Sequence, residues 1–260
     1  MERDMAALAA SLCEMAHRAG NEILAVYRSD FTVLDKTDGS PVTEADTRAE
    51  RVILDRLAAC APDVAVVAEE SVAAGNVPDV DGRPFFLVDP LDGTREFVRR
   101  TEEFTVNIAL IEDGAPTAGV IHVPALEETY WTAGDGTAWR SRHGGAAERI
   151  ACRRPGRRLV AIASRSHRSA ETDAWLERFE VAEVVSAGSS LKFCRIAEGV
   201  ADLYPRLGRT MEWDIAAGHA IVNAAGGSVE TLDGEPLVYG KPGFENPHVV
   251  ARGLPPDADP

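Results

Sequence analysis

Val88-Asp89-Pro90-Leu91-Asp92-Gly93-Thr94 (VDPLDGT, residues 88–94) follows directly on the apolar run Phe85-Phe86-Leu87, and its reading decides the rest of the chain. FFLVD has the short, continuous apolar character of a buried strand. Pro90 lacks an amide proton and biases Asp89 to extended backbone, so the strand is expected to finish there. Asp89 and Asp92 then flank a tight turn. Two carboxylates three residues apart, with the Leu91 carbonyl between them, offer hard oxygen ligands to a divalent cation such as Mg²⁺. Gly93 allows close backbone approach, and Thr94 opens a helix, so their amides can receive a phosphate oxygen. An ordinary DG turn before a capped helix explains the same residues without chemistry.

Outward from this turn, the chain reads as layered helix and strand. Leu8, Leu12, Met15, Ala19, Ile23 and Val26 recur at helical spacing, as do Ala49, Val52, Ile53, Leu57 and Cys60, with Pro62 ending the second helix. VAVVAE (64–69) precedes FFLVD as a second buried strand. Residues 105–111, 118–123 and 129–133 read as further strands joined by turn signals. CRRPGRR (152–158) is a basic, Pro- and Gly-bearing break with no apolar period, a plausible junction. Beyond it LVAIAS, AETDAWLERF, EVVSA, SSLKFCRIAEG, ADLY and DIAAGHAIVNAAGG alternate strand with helix.

Composition bounds the function. The chain has 260 residues, 45% of them hydrophobic, with 27 Lys+Arg against 42 Asp+Glu and a formal charge of −15. At roughly 150 residues per domain that is one large or two small domains. So acidic a surface repels phosphate backbones and anionic lipid, which excludes long nucleic acid and membrane as partners. Cys13, Cys60, Cys152 and Cys194 show no metal or disulfide spacing. MERDMAALAA places an acid where a secretory signal has a basic region, and no apolar run approaches ~20 residues. A soluble cytoplasmic protein is expected.

Other acids are individually ordinary. Glu69 and Glu70 end the VAVVAE strand, where a solvated edge is the simple explanation. Asp214 follows Trp213 ahead of a helix, where an N-cap suffices. Asp46 stands three residues after Thr43, the spacing of a capping box. Taken together, the set resembles the lithium-sensitive, magnesium-dependent phosphatase superfamily that includes inositol monophosphatases and fructose-1,6-bisphosphatases. That resemblance implies an α+β fold, a layered αβαβα sandwich of the sugar-phosphatase type. Residues 1–150 would form an α+β half carrying most metal ligands, and 151–260 an α/β half carrying Asp214 and substrate recognition. Glu70, Asp89, Asp92, Asp214 and the Leu91 carbonyl would hold two or three Mg²⁺ ions. Glu70 and the Thr94–Asp46 pair would position the attacking water.

Within the superfamily, LDGTREFVRRTEEFTVNIALIEDG, SRSH, GSSLKFCRIAEG and ADLYPRLGRTMEWDIAAGHA are most similar to the bacterial 3′(2′),5′-bisphosphate nucleotidases of the CysQ type. EESVAAG, by contrast, looks more like some inositol monophosphatases. The nucleotidase resemblance implies removal of the 3′-phosphate of adenosine 3′,5′-bisphosphate. Gly93, Thr94, Gly188, Ser189, Lys192 and Arg206 would bind the substrate, with His167 near the base. It also implies lithium inhibition and a role in sulfur assimilation. Independently, Ser189 and Ser190 follow Gly188 at a helix start that favours an anion, and an arginine such as Arg206 offers phosphate a bidentate fork. An inositol-type or broad sugar monophosphatase on the same metal site is the competing enzyme, and a noncatalytic phosphonucleotide sensor the competing non-enzyme. The partner expected is a small phosphorylated nucleotide, and the sequence leaves a homodimer open.

Overall fold

The computed structural model describes residues 4–35, 39, 41–164 and 169–255. Helix α1 (Met5–Tyr27) and the short ladder of β1 (Leu34–Asp35) with β2 (Pro41–Val42) lead into α2 (Glu44–Cys60). Strand β3 (Ala65–Ala68), the one-turn helix α3 (Glu69–Ala73), strand β4 (Phe85–Asp92) and helix α4 (Thr94–Val98) follow. Strands β5 (Thr105–Glu112), β6 (Ala115–Val123), β7 (Glu128–Thr132), β8 (Ala138–Arg142) and β9 (Glu148–Ile150) complete a seven-stranded sheet in the order β3 to β9. It is antiparallel except where β3 runs parallel to β4.

The second half supplies β10 (Leu159–Ser164), α5 (Ala170–Leu176), β11 (Val181–Ala187), α6 (Leu191–Ala197), β12 (Leu203–Arg206), α7 (Glu212–Ala224), β13 (Ser228–Thr231) and β14 (Val249–Arg252). Its five strands lie in the order β11-β10-β12-β14-β13. β8, β9, β13 and β14 have no counterpart in the sequence reading. They are short edge or near-edge strands whose turn- and charge-rich sequences mask a period of two.

Alternation along the strands sets the layers. Phe86, Val88, Ile108 and Leu110 pack with Leu12, Ile23, Ile53 and Leu57 of α1 and α2. Phe85, Leu87, Ala109 and Ile111 on the opposite face pack with Phe193 and Ile196 of α6 and Ile215 and Ile221 of α7. That same middle layer takes Ile162, Tyr204, Val249 and Ala251 from the second sheet. Ala161, Leu203 and Val250 face outward beneath Trp175 and Leu176 of α5. The result is the expected αβαβα sandwich: helices α1 and α2, a sheet, α6 and α7, a sheet, α5. Sheet membership changes between β9 and β10, across the basic break, while the middle apolar layer draws on both sides of it. Among the described residues no helix is long and apolar enough to cross a membrane.

One local expectation is corrected. β4 does not finish at Asp89. Asp89 pairs with Asn107 and Asp92 with Thr105, so between these pairs two residues of β4, Pro90 and Leu91, oppose one of β5, Val106. Pro90 cannot donate to the ladder, and the chain bulges past it and rejoins at Asp92. Both aspartates are thereby held by a strand rather than by a free loop.

The middle layer leaves no room for a methyl group where α6 meets α7. A Cβ added to Gly218 would stand 2.4 Å from Cγ of Phe193. Gly218→Ala gains roughly 1 kcal/mol of helix propensity, but the steric cost is expected to dominate, with a net loss of about 1–3 kcal/mol in urea denaturation.

Candidate active site

Four chain segments converge at the end of β4. The bulge places Asp89 in the interior, 2% exposed, and leaves Asp92 half-buried at its rim. Gly93 adopts φ 87°, a left-handed conformation that glycine tolerates, and turns the chain into α4 at Thr94. A Cβ at Gly93 would lie 3.1 Å from Cβ of Ser189, and one at Gly188 2.7 Å from the Glu103 carbonyl oxygen. The VDPLDGT turn therefore packs on the GSS segment at Gly93, and Gly188 packs on the backbone of Glu103. The Gly188 amide donates to Glu103 Oε2 at 2.8 Å, which seals this contact.

Asp92 ties the two sheets' segments together. Its Oδ2 lies 2.7 Å from Oγ of Ser189 and 2.7 Å from Oγ of Ser190. Ser190 Oγ is also 2.7 Å from the Asp214 carbonyl and accepts from Nδ2 of Asn107 at 2.9 Å. Asp214 comes from the first turn of α7, where its Oδ2 accepts the Met211 amide at 2.9 Å. Met211 is the N-cap of that helix and Asp214 its third residue, so the capping role of Asp214 differs from the N-cap expected. Ser190, not Ser189, occupies the N-cap position of α6, with its hydroxyl turned to Asp92 and Asp214 rather than to the helix amides, and Ser189 sits at φ 50°.

Asp46 performs both roles its position allowed. Oδ2 closes the capping box by accepting from the amide and hydroxyl of Thr43 at 2.7 and 2.8 Å. Oδ1 accepts from the Thr94 hydroxyl at 3.3 Å, which also lies 3.3 Å from the Leu91 carbonyl.

Of the two glutamates after β3, it is Glu69 that reaches the aspartates. It lines the cleft and hydrogen-bonds Asp89. Glu70, the residue expected there, is not among the cleft residues; its amide donates to Oε2 of buried Glu50 at 2.8 Å, and the next residue's hydroxyl, Ser71 Oγ, donates to Glu50 Oε1. Adjacent residues in a helical turn point about 100° apart, so only one of the pair can face the aspartates. Sequence reasoning also missed Glu50, Glu103 and Asn107. Asn107 alone left a signal, as an amide inside the apolar run TVNIALI.

The cleft, about 320 Å³, is lined by the acids Glu69, Asp92, Glu96 and Asp214 and by the bases Arg95, Lys192, Arg206 and Arg209, and Asp89 is buried. Burial pushes the Asp89 carboxyl well above the usual range, and the charges of Glu69, Asp92 and Asp214 push it further. Burial, then Asp92 and Glu69, raise Asp214 to about 8. Lys192 is 4% exposed, and its ammonium donates to the Ser189 carbonyl. Burial and Arg206 lower it to about 8, against the attraction of Asp92. His167 and the neighbouring Arg165 lie outside the described residues.

The donor set fits a hard divalent cation: the carboxylates of Glu69, Asp89, Asp92 and Asp214 and the Leu91 carbonyl are all oxygen, and a cation relieves the repulsion among crowded carboxylates. Among the described residues no group of three or more His, Cys, Asp or Glu is preassembled to hold a metal ion. The hydrogen bonds to Asp92 and Asp214 occupy oxygens that a cation would share.

The inositol monophosphatase family model matches residues 4–254. The 3′(2′),5′-bisphosphate nucleotidase CysQ of Escherichia coli K12 is 46% identical over 230 residues, 88% of this chain and 92% of that protein. Among solved structures, CysQ from Bacteroides thetaiotaomicron, described as a bacterial member of the inositol monophosphatase family, superposes with a TM-score of 0.81 at 35% identity, covering 95% of this chain and 97% of that one. A Thermotoga maritima IMPase follows the same fold at TM-score 0.72 and 27% identity, covering 92% and 89%.

Raised carboxyl pKa values carry a definite sign. The folded chain keeps protons that the unfolded chain has released, so this contribution to stability is whole below pH ~4 and is lost as pH rises toward about 8. Without divalent cation the melting temperature should fall between about pH 5.5 and 8. Added Mg²⁺ should raise it, more at pH 8 than at 5.5, because the cation competes with protons. Glu69→Gln should weaken this stabilisation more than Glu70→Gln; the reverse order would return the ligand role to Glu70.

Proposed function

The chain belongs to the inositol monophosphatase family, and from that premise we propose that it is a 3′(2′),5′-bisphosphate nucleotidase that removes the 3′-phosphate of adenosine 3′,5′-bisphosphate to give AMP and phosphate. Its substrate is thus a small phosphorylated nucleotide, and the family implies a divalent metal cofactor. The observation that carries the nucleotide assignment is a single cleft lined both by carboxylates and by Lys192, Arg206 and Arg209, so that a substrate with a second phosphate meets cations beside the carboxylate cluster.

We take the metal to be Mg²⁺, two or three ions per site, held by Glu69, Asp89, Asp92, Asp214 and the Leu91 carbonyl. When bound it neutralises phosphate oxygens, lowers the pKa of water and stabilises the leaving oxygen.

The chain's own residues supply position. Asp46 accepts the Thr94 hydroxyl hydrogen, which leaves the Thr94 oxygen able to accept a hydrogen from a water in the cleft and so to aim that water's lone pair. Asp46 is itself immobilised by Thr43, so the carboxylate acceptor of the Thr94 hydroxyl is fixed in place. Gly93 leaves space beside Ser189 for a phosphoryl oxygen to approach the backbone. Arg206 offers a guanidinium to the phosphate that stays behind, and Lys192, through the Ser189 carbonyl, fixes the turn facing Asp92. In-line displacement then needs no nucleophile from the protein. Lithium inhibition and a place in sulfur assimilation belong to the same proposal.

Phosphate release with Mg²⁺ from adenosine 3′,5′-bisphosphate and from inositol 1-phosphate, measured in parallel, tests the assignment. The nucleotide should be strongly preferred, and preference for inositol phosphate would overturn it. Thr94→Ala should lose about 10²–10⁴-fold in kcat with little change in melting temperature, since a general acid–base contribution is of that size.

A further inference from the structure

Thr210 stands in the turn between β12 and α7, lines the cleft and is 5% exposed. Its Oγ1 is buried and has no hydrogen-bond partner. Among the described residues only two other buried side-chain atoms share that state, Nε of Arg140 and Nε1 of Trp175, and neither residue lines the cleft. A buried hydroxyl left unsatisfied costs roughly 1–3 kcal/mol, so an unsatisfied group at the wall of a binding cleft asks for a reason.

The backbone around Thr210 is pinned. Its carbonyl accepts the Asn246 amide at 2.9 Å, and the following amide, of Met211, donates to Asp214 Oδ2 at 2.9 Å. The hydroxyl therefore cannot find a partner by a shift of the chain. It can do so by rotation about χ1, since threonine has more than one accessible rotamer and the turn exchanges the hydroxyl with the methyl group.

The neighbouring charge indicates what the hydroxyl would meet. The Arg206 guanidinium curls back over the same turn: Nη1 stands 3.1 Å from where a Cβ of Gly208 would be, and Nη2 donates to the Arg209 carbonyl at 3.3 Å. That carbonyl belongs to the peptide leading into Thr210, so the guanidinium ends one peptide unit away. Arg209 has its Nε committed to Glu245 at 3.1 Å. An anion held by Arg206 in this cleft lies within reach of Thr210.

Resting on the nucleotidase reading, we infer that Thr210 donates its hydroxyl hydrogen to the phosphate that is not transferred, beside Arg206, and thereby favours doubly phosphorylated nucleotides. It is a specificity residue. A hydroxyl donor there strengthens binding of the second phosphate and leaves the reacting centre unchanged.

The test compares wild type, Thr210→Val, Thr210→Ser and Thr210→Ala on adenosine 3′,5′-bisphosphate and on adenosine 3′-monophosphate. Thr210→Val should raise KM for the bisphosphate about tenfold, the size of one hydrogen bond to a charged group, with kcat within about twofold. Thr210→Ser should restore the wild-type KM, and all variants should match wild type on the monophosphate. Ligand-free Thr210→Val should melt at or above the wild-type temperature, because an unsatisfied hydroxyl has been replaced by a methyl. Should valine pack badly, Thr210→Ala carries the same comparison. An unchanged KM in the Val and Ala variants, an equal rise on both substrates, or no rescue by serine would overturn the inference. A wild type that hydrolyses neither nucleotide would overturn the functional reading itself, whereas a wild type active on the bisphosphate with variants indistinguishable from it removes Thr210 alone.

Discussion

Crowding of carboxylates at one point in the interior is the constraint to which the rest of the molecule answers. Asp89, Asp92, Asp214 and Glu69 come from three segments that the fold must bring together, and their mutual repulsion raises the proton affinity of Asp89 and Asp214. The protein tolerates the crowding by distributing donors around it. Ser189 and Ser190 hydroxyls meet Asp92, the Met211 amide meets Asp214, and the Leu91 amide meets Asp89 at 3.0 Å. Asp92 thereby joins the end of the first sheet to the loop leading into α6, which belongs to the second half of the chain. The carboxylate proposed to hold the metal is also a structural bond.

Several residues serve twice in this way, and that economy explains their ambiguity in sequence. Asp46 completes a capping box with one oxygen and holds Thr94 with the other. Asp214 closes the first turn of α7 and lines the cleft. Lys192 supports the Ser189 turn from within the protein while lining the cleft. In each case the common local role is real, and it does not argue against chemistry. A group already fixed by a cap is held in one orientation before any ligand arrives, which is the condition for effective catalysis by positioning.

Charge illustrates the difference between global and local electrostatics. A formal charge of −15 disfavours anions over most of the surface. Lys192, Arg206 and Arg209 line the same cleft as the carboxylates, so an anionic ligand meets clustered cations there despite the overall charge. The same arrangement selects a small ligand over a polyanion, because the favourable region is no larger than the cleft.

The helices and most strands were legible in the sequence itself, and the family resemblance implied the sandwich and most of the site. The 3.6 period of Leu8 through Val26 and of Ala49 through Leu57, the short apolar strands and the alternation after residue 158 mark the elements and their buried faces, since burial of one face is what such periods express. VDPLDGT, Trp213-Asp214 and GSSLKF name the segments that meet. Which member of a pair meets them was decided by tertiary structure. Glu69 and Glu70 are chemically identical, and only the angle at which α3 leaves β3 turns one of them toward Asp89. β4 runs past Pro90 because β5 offers Thr105 a partner at Asp92, a pairing no local rule contains. Burial of Lys192 and the unpartnered hydroxyl of Thr210 likewise depend on what packs around them. Periodicity and residue type are properties of the chain; direction, burial and hydrogen-bond satisfaction are properties of neighbours brought from far along it.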